Sequence, residues 1–379
     1  MILTMWQSEE QLQQDRELLS GRSIGYKAFL DLTDNGYSSL QSFWFRARKR
    51  LAAALQKRFS ISTPLAISYA PELLVRKALH EKADLYVAHL ECGLFAGSKL
   101  LKKGKKVCFD FEDWYSRDYL QPSRPVRLLA QLEKSALRRG LFCTTTSTAL
   151  SRALATAYDC NESMVIYNSF PAPGGQVKTV TSKRAVGALK ILWFSRTIGP
   201  QRGLEFFLDA LATCYKPVEL TLVGNMRRGY EEVLQRKFNE LSKHRFVYCP
   251  FMPFEELTEF IQQFSIGLAV EEPVNDNKLL TVSNKMMQYL QAGLNVIASD
   301  TPGQQEIAVY FPDRIALVDL NDPSTIQSAL DTFRNGKPGQ SILKEEQYQK
   351  TFSWEAQEKK LYHLIRQYFT LPDQAIVAT

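Results

Sequence analysis

Ser283–Glu306 reads SNKMMQYLQAGLNVIASDTPGQQE, and its reading decides the fold class. Ser283, Asn284 and Lys285 form a polar opening to a helix whose apolar Met286, Met287, Leu290 and Leu294 recur at helical spacing. Gly293 sits where such a helix stops. Val296, Ile297 and Ala298 then make a short apolar run of the kind buried in a parallel sheet, closed by Ser299-Asp300-Thr301-Pro302-Gly303. A loop feeding a helix start offers free backbone N–H groups and the positive end of the helix dipole, which suits an anion.

Working outward, strand-like runs alternate with helix-like segments along the whole chain, as parallel sheets with crossover helices require. Strands are expected at Ile2–Trp6, Ser23–Leu32, Leu65–Ser68, Leu85–His89, Lys106–Asp110, Leu141–Thr146 and Met164–Tyr167, with Ser8 capping a helix that runs to Leu19. The stretch 171–187 is rich in Pro, Gly, Ser, Thr and Val without apolar period, and reads as a linker. A second alternation follows. Its expected strands are Leu189–Phe194, Glu219–Val223, Arg245–Tyr248, Ile266–Val270 and Ile315–Val318, and a last helix starts at Trp354. The domain limits are therefore 1–170, the linker 171–187 and 188–353, followed by the helix 354–370.

The chain has 379 residues, 45% hydrophobic and 23% charged, which fits two globular domains and excludes a disordered protein. No apolar run reaches the ~20 residues of a membrane span. The N-terminus lacks the basic and apolar regions of a signal peptide. Cys92, Cys108, Cys143, Cys160, Cys214 and Cys249 are scattered without a CxxC pair, as expected of thiols in a reducing cytoplasm. A net charge of +7 favours anionic partners.

Ile191–Leu204 reads ILWFSRTIGPQRGL: a strand end, a Gly/Pro turn, and Arg196 and Arg202 on either side before a helix. Two guanidinium groups so placed can converge on one diphosphate, or be ordinary solvated turn arginines. Val223-Gly224-Asn225 ends the next strand in a glycine turn. Phe246–Leu257 (FVYCPFMPFEEL) is a strand and loop with apolar anchors. His89 ends an expected parallel strand in DLYVAHLECG, the end at which α/β sheets place ligands, and Asp110, Glu112 and Asp113 end the next in FDFEDW.

Together these strings resemble GT-B glycosyltransferases, in particular glycosyltransferase family 4. Ser195-Arg196 matches the family's Gly-Arg pair and Arg202 stands at the lysine of its diphosphate-gripping turn. Gly224 matches the Val-Gly-Asp/Glu-Gly turn, and His89 the histidine facing the transferred sugar. Phe352-Ser353-Trp354-Glu355 is similar to the start of the last helix. The resemblance implies two Rossmann-like domains facing a central cleft, with the last helix crossing back to the first domain. It implies His89, Arg196 and Arg202 as catalytic, with Ser195, Gly224, Phe251, Met252, Ser283, Asn284, Lys285 and Gln288 holding a nucleotide-sugar donor. Pro250 stands at the family's usual glycine, so base contacts would come from backbone near Phe251 and Met252.

The chain departs from the family most sharply at its paired glutamates. The two glutamates eight residues apart are replaced by Leu280 and Gln288, and Glu271 and Glu272 lie nearby but offset. A Gln amide can still bond ribose hydroxyls, without the carboxylate charge. The short loop after the first strand lacks the glycine-rich turn of many relatives. The carboxylates at 110–113 suit a hard cation, but GT-B enzymes generally use none in the site, so no metal and no other cofactor is expected.

The implied activity is retaining transfer from a nucleotide sugar to a glycan or lipid-linked acceptor, in glycoconjugate or surface-polysaccharide assembly. The second reading, motivated by Leu280 and Gln288, is a GT-B module that binds a nucleotide sugar or a partner with little turnover. The segment 43–59, FWFRARKRLAAALQKRF, mixes aromatics with clustered cations. It suits an anionic membrane surface, hence a location at the inner face of the membrane. It also suits a solvated helix over an apolar underside, the default for a globular helix. Nucleic acid fits poorly, since no binding motif accompanies the patch.

Overall fold

The computed structural model describes residues 1–34, 36–118, 122–171, 188–335 and 342–369. Beyond Pro171 the expected linker lies outside them, as does residue 370. The chain divides into two compact units. The first holds Met1–Thr145, Leu150–Val165 and the distant Asn275–Asn277; the second holds Thr146–Ala149, Ile166–Val274 and the described residues from Lys278 on. The helix Trp354–Arg366 groups with the second unit, whereas the resemblance implied that it joins the first.

In the first unit β1 (Ile2–Trp6) pairs in parallel with β2 (Tyr26–Asp31). The Ser8 hydroxyl accepts the Gln11 N–H and caps the helix Glu9–Leu19, as its sequence requires. A second parallel sheet runs in the order β3 (Tyr86–His89), β4 (Val107–Phe111), β5 (Cys143–Thr145), β6 (Met164–Val165). Its centre is β4, where Phe109 and Phe111 are fully buried. The strand expected at Leu65–Ser68 is instead a short helix, Pro64–Ile67. Pro64 is its first residue, where the missing N–H costs nothing and the fixed φ already suits a helix, and this outweighs the apolar run.

The second unit is one six-stranded parallel sheet. Its strands are β7 (Leu189–Ile198), β8 (Val218–Met226), β9 (Arg245–Cys249), β10 (Ile266–Ala269), β11 (Asn295–Ser299) and β12 (Ile315–Val318). They lie in the order β12-β11-β10-β7-β8-β9, which is the doubly wound Rossmann order. The pleat sends Ile191 and Trp193 of β7 into one core with Leu204, Phe207 and Ile326, and Leu192 into the other with Met286, Met287 and Leu290. Both faces are thus covered, and the strands read as continuous apolar runs for that reason. Gly267 of β10 has no side chain because the Tyr289 ring lies where a Cβ would be, and the Tyr289 hydroxyl donates to the Leu192 carbonyl at 3.0 Å. Strand order reverses between β7 and β10, and ligands of such sheets sit at the carboxyl ends of the strands at that point.

Candidate functional site

The carboxyl end of β7 is built irregularly. Its pairing with β8 steps from Phe194↔Val223 to Thr197↔Asn225, so Ser195 and Arg196 fall in the register shift. Gly224 lies opposite with φ of 145°, and a Cβ there would come 1.9 Å from the Ser195 carbonyl oxygen. Glycine is therefore required sterically at 224, and the close approach turns Ser195-Arg196 out of the ladder. Arg196 is exposed and has no ion-pair partner among the described residues. The turn continues to Gly203, with φ of 75°, which starts the helix Leu204–Leu211 and packs against the backbone of Val270 and Glu271 at the end of β10.

Glu271 is the centre of charge at this switch point. Its side chain is buried, its N–H donates to the Ser299 hydroxyl at 2.7 Å, and that hydroxyl donates back to the Glu271 carbonyl at 2.8 Å. Its Oε1 accepts from the buried Lys285 ammonium, Lys278 lies 3.9 Å from Oε2, and Arg202 adds charge at longer range. Burial alone pushes the carboxyl up; the charges of Lys285, Lys278 and Arg202 and the Lys285 hydrogen bond more than reverse it, leaving Glu271 below its ordinary range. The Lys285 ammonium also lies 5.7 Å from the centre of the Trp193 ring. The offset glutamate of the sequence thus holds the lysine of the helix start.

The helix Asn284–Gln291 begins at Ser283, whose side chain makes no capping bond. Asn284 accepts from Asn168 at 3.1 Å. Gln288 is partly buried and its Oε1 has no hydrogen-bond partner among the described residues, an unsatisfied acceptor of the kind a ligand hydroxyl relieves. Phe251 is exposed and Met252 packs at the edge of the core that holds Met286. The structure thus gathers Ser195 with Gly224, and Arg202 and Lys285 about Glu271, in the second unit.

In the first unit three neighbouring strand ends form a second cluster. His89, Asp110 and Thr144 are successive partners across β3, β4 and β5. Thr144 Oγ1 donates to Asp110 Oδ1 at 2.5 Å, Asp110 Oδ2 lies 3.0 Å from His89 Nδ1, and Glu112 Oε1 lies 3.8 Å from it. The hydrogen bonds to Asp110 and Glu112 raise the imidazole to about 9 against the effect of burial, so His89 is a cation at neutral pH. The ligand atoms of His89, Asp110 and Glu112 lie within 4.8 Å of one another, close enough for a metal set.

The polar stretch Asn275–Asn277 packs on residues far off in sequence. Asn277 accepts from the Trp114 N–H and donates to Asp113, both at 2.8 Å, and Asp276 pairs with Arg117 at 3.3 Å. These residues belong to the first unit. Glu306, missed in the sequence, accepts the N–H groups of Thr148 and Ala149 at 3.0 and 2.9 Å and so occupies the start of the helix Thr148–Tyr158.

Comparison with solved structures accords with this geometry. Anabaena HepE in complex with UDP-glucose superposes with a TM-score of 0.62 at 16% identity, covering 93% of this chain and 88% of that one. The lipopolysaccharide outer core galactosyltransferase WaaB in its apo form gives 0.56 at 13% identity, over 97% and 99%. The fold is GT-B. Residues 188–333, which carry the switch-point site, match the family model described as glycosyl transferases group 1. No curated protein matches the sequence. The resemblance to GT-B glycosyltransferases thus holds in fold and in the second unit, while the first unit matches in structure alone.

Proposed function

We propose that the protein is a retaining glycosyltransferase of family 4 type, moving a sugar from a nucleotide donor to a glycan or lipid-linked acceptor in glycoconjugate or surface-polysaccharide assembly. The observation that carries this reading is the cationic turn at the β7–β10 switch point within the stretch matching group 1 glycosyltransferases. Ser195, Gly224 and the start of the helix Asn284–Gln291 would line the donor diphosphate, with Arg196 and Arg202 neutralising the charge that grows on it as the glycosidic bond breaks. Phe251 and Met252 would flank the base, and Gln288 the ribose. Because HepE, similar in fold, is seen with UDP-glucose, UDP-sugars are the first donors to test.

His89 would act on the sugar as a cationic hydrogen-bond donor. An imidazolium held by Asp110 and Glu112 is a poor general base. The arginines and helix start supply the charge for which other transferases use a divalent cation, and the mechanism invokes no metal. A second reading, donor binding with little turnover, is favoured by one feature: Leu280 and Gln288 stand where the family has carboxylates.

Thermal shift with UDP-, GDP- and ADP-sugars, followed by nucleoside diphosphate release with lipid and glycan acceptors, tests both readings. Binding with release supports the enzyme. Binding without release under every acceptor supports the second reading, and no binding refutes both.

A further inference from the structure

Three strand ends of the first unit lie in one row. Parallel pairing sets His89 of β3 beside Asp110 of β4, and Asp110 beside Thr144 of β5. Cross-strand partners on one face of a sheet are near neighbours, so these side chains meet without help from a loop. Thr144 Oγ1 lies 2.5 Å from Asp110 Oδ1, and His89 Nδ1 lies 3.0 Å from Asp110 Oδ2. An ionised carboxylate only accepts, so the hydroxyl donates to one oxygen and the imidazole Nδ1–H to the other. The Thr144 bond has the length of a charge-assisted O–H···O bond.

Burial gives the row a direction. Thr144 is 6% exposed and stands on an inner strand of the order β3-β4-β5-β6. The Asp110 side chain is 24% exposed, and that of His89, on the edge strand, 51%. The fixed end is therefore the hydroxyl and the free end the imidazole. Valine would suit a buried strand position at least as well and would need no partner, so the hydroxyl at 144 is accounted for by its bond to Asp110. That bond settles a choice. A carboxylate turns softly about its last torsion, and Glu112, two residues on, offers His89 Nδ1 a second acceptor at 3.8 Å. With Oδ1 tied to Thr144, Oδ2 is held toward the ring, and the imidazole stays on Asp110 instead of swinging to Glu112. Its Nε2–H, on the far side of the ring, is then presented in one direction.

We propose that Thr144 is a positioning residue for His89, fixing through Asp110 the plane of the imidazole whose Nε2–H meets the transferred sugar. The catalytic consequence rests on the transferase reading; the hold on the ring does not, and the two are measured separately. Thr144→Val removes the hydroxyl with little change of shape, and Thr144→Ser keeps it. In the full chain labelled with 13C at the histidine rings, His89→Asn assigns the His89 signal among the four histidines. Relaxation should show an ordered His89 ring in the wild type and in Thr144→Ser, and a clearly less ordered one in Thr144→Val, with the other histidines unmoved. In turnover of a nucleotide sugar, Thr144→Val should lower kcat about tenfold and leave the donor KM within about twofold, because a misaimed donor group is missed in the transition state. Thr144→Ser should restore kcat. A His89 ring as ordered in Thr144→Val as in the wild type overturns the proposal. So does a loosened ring with unchanged kcat, or a loss of kcat that Thr144→Ser does not restore. Absence of turnover by the wild type with every nucleotide sugar counts against the enzyme reading instead, and ring order alone then decides whether Thr144 positions His89.

Discussion

Glu271→Gln is the perturbation whose size the structure fixes best. The Glu271 and Lys285 side chains are only 11% and 9% exposed, so solvent screens neither. Removing the carboxylate charge leaves a buried ammonium facing an amide, and breaking a buried pair from one side costs about 3 kcal/mol or more. For a unit of this size that corresponds to a fall of roughly 6–12 °C in melting temperature. Urea unfolding read by hydrogen exchange at the β7 and β10 amides isolates this unit from the other. The double variant Glu271→Gln with Lys285→Met removes the stranded charge and should recover most of the loss. The pH dependence has a definite sign. Glu271 is held below its ordinary value of 4.5, so its contribution is present above that value and lost as the pH falls through the lower folded one. The gap between wild type and Glu271→Gln should therefore close in acid. A variant within about 0.5 kcal/mol of wild type at neutral pH refutes the pair as a structural centre, as does a double variant no better than the single one.

Three further outcomes follow from the same geometry. His89 should titrate near 9 by NMR, and Asp110→Asn should lower that midpoint by about one to three pH units; an unmoved midpoint would show that Asp110 does not hold the imidazole. Because the His89 value is raised from 6.5, any stability it contributes is complete below 6.5 and fades as the pH rises through about 9. Gly224→Ala brings a Cβ within 1.9 Å of the Ser195 carbonyl, so β7 and β8 must part at their ends; a loss of about 2–4 kcal/mol in urea and about tenfold weaker donor binding are expected. Gln288→Glu should tighten donor binding about fivefold in calorimetry if the ribose lies there, since a charged acceptor gains about 1 kcal/mol over a neutral one; unchanged affinity would move the ribose elsewhere.

Much of the second unit was legible because its strands are buried on both faces and read as unbroken apolar runs, from Leu189 through Ile315. The turn at Ser195–Gly203 was legible for a different reason: a register shift opposite Gly224 needs specific residues. The sequence did not show that Glu271 would pair with Lys285, fourteen positions away, because that pairing depends on how β10 and the next helix meet. It did not show the orientation of Ser39–Phe59 either. Its aromatics and cations are interleaved, and only the buried cluster of Phe29, Leu30, Leu32 and Ala70, on which Phe45 packs, decides which side turns inward. At Leu65–Ser68 the apolar run suggested a strand, but Pro64 decided the local conformation. The role of the polar stretch 275–277 was not legible because its partners, Asp113, Trp114 and Arg117, lie far off in sequence.

If the proposed function holds, the β7–β10 switch point binds a nucleotide sugar through its arginines. Calorimetric titration of the wild type and Arg196→Ala with UDP-glucose, and with GDP- and ADP-sugars, tests it most directly. One donor should bind the wild type and bind Arg196→Ala about tenfold or more weakly, with an unchanged melting temperature for the exposed substitution. Equal affinity for the two proteins, or no binding of any nucleotide sugar to the wild type, would contradict it.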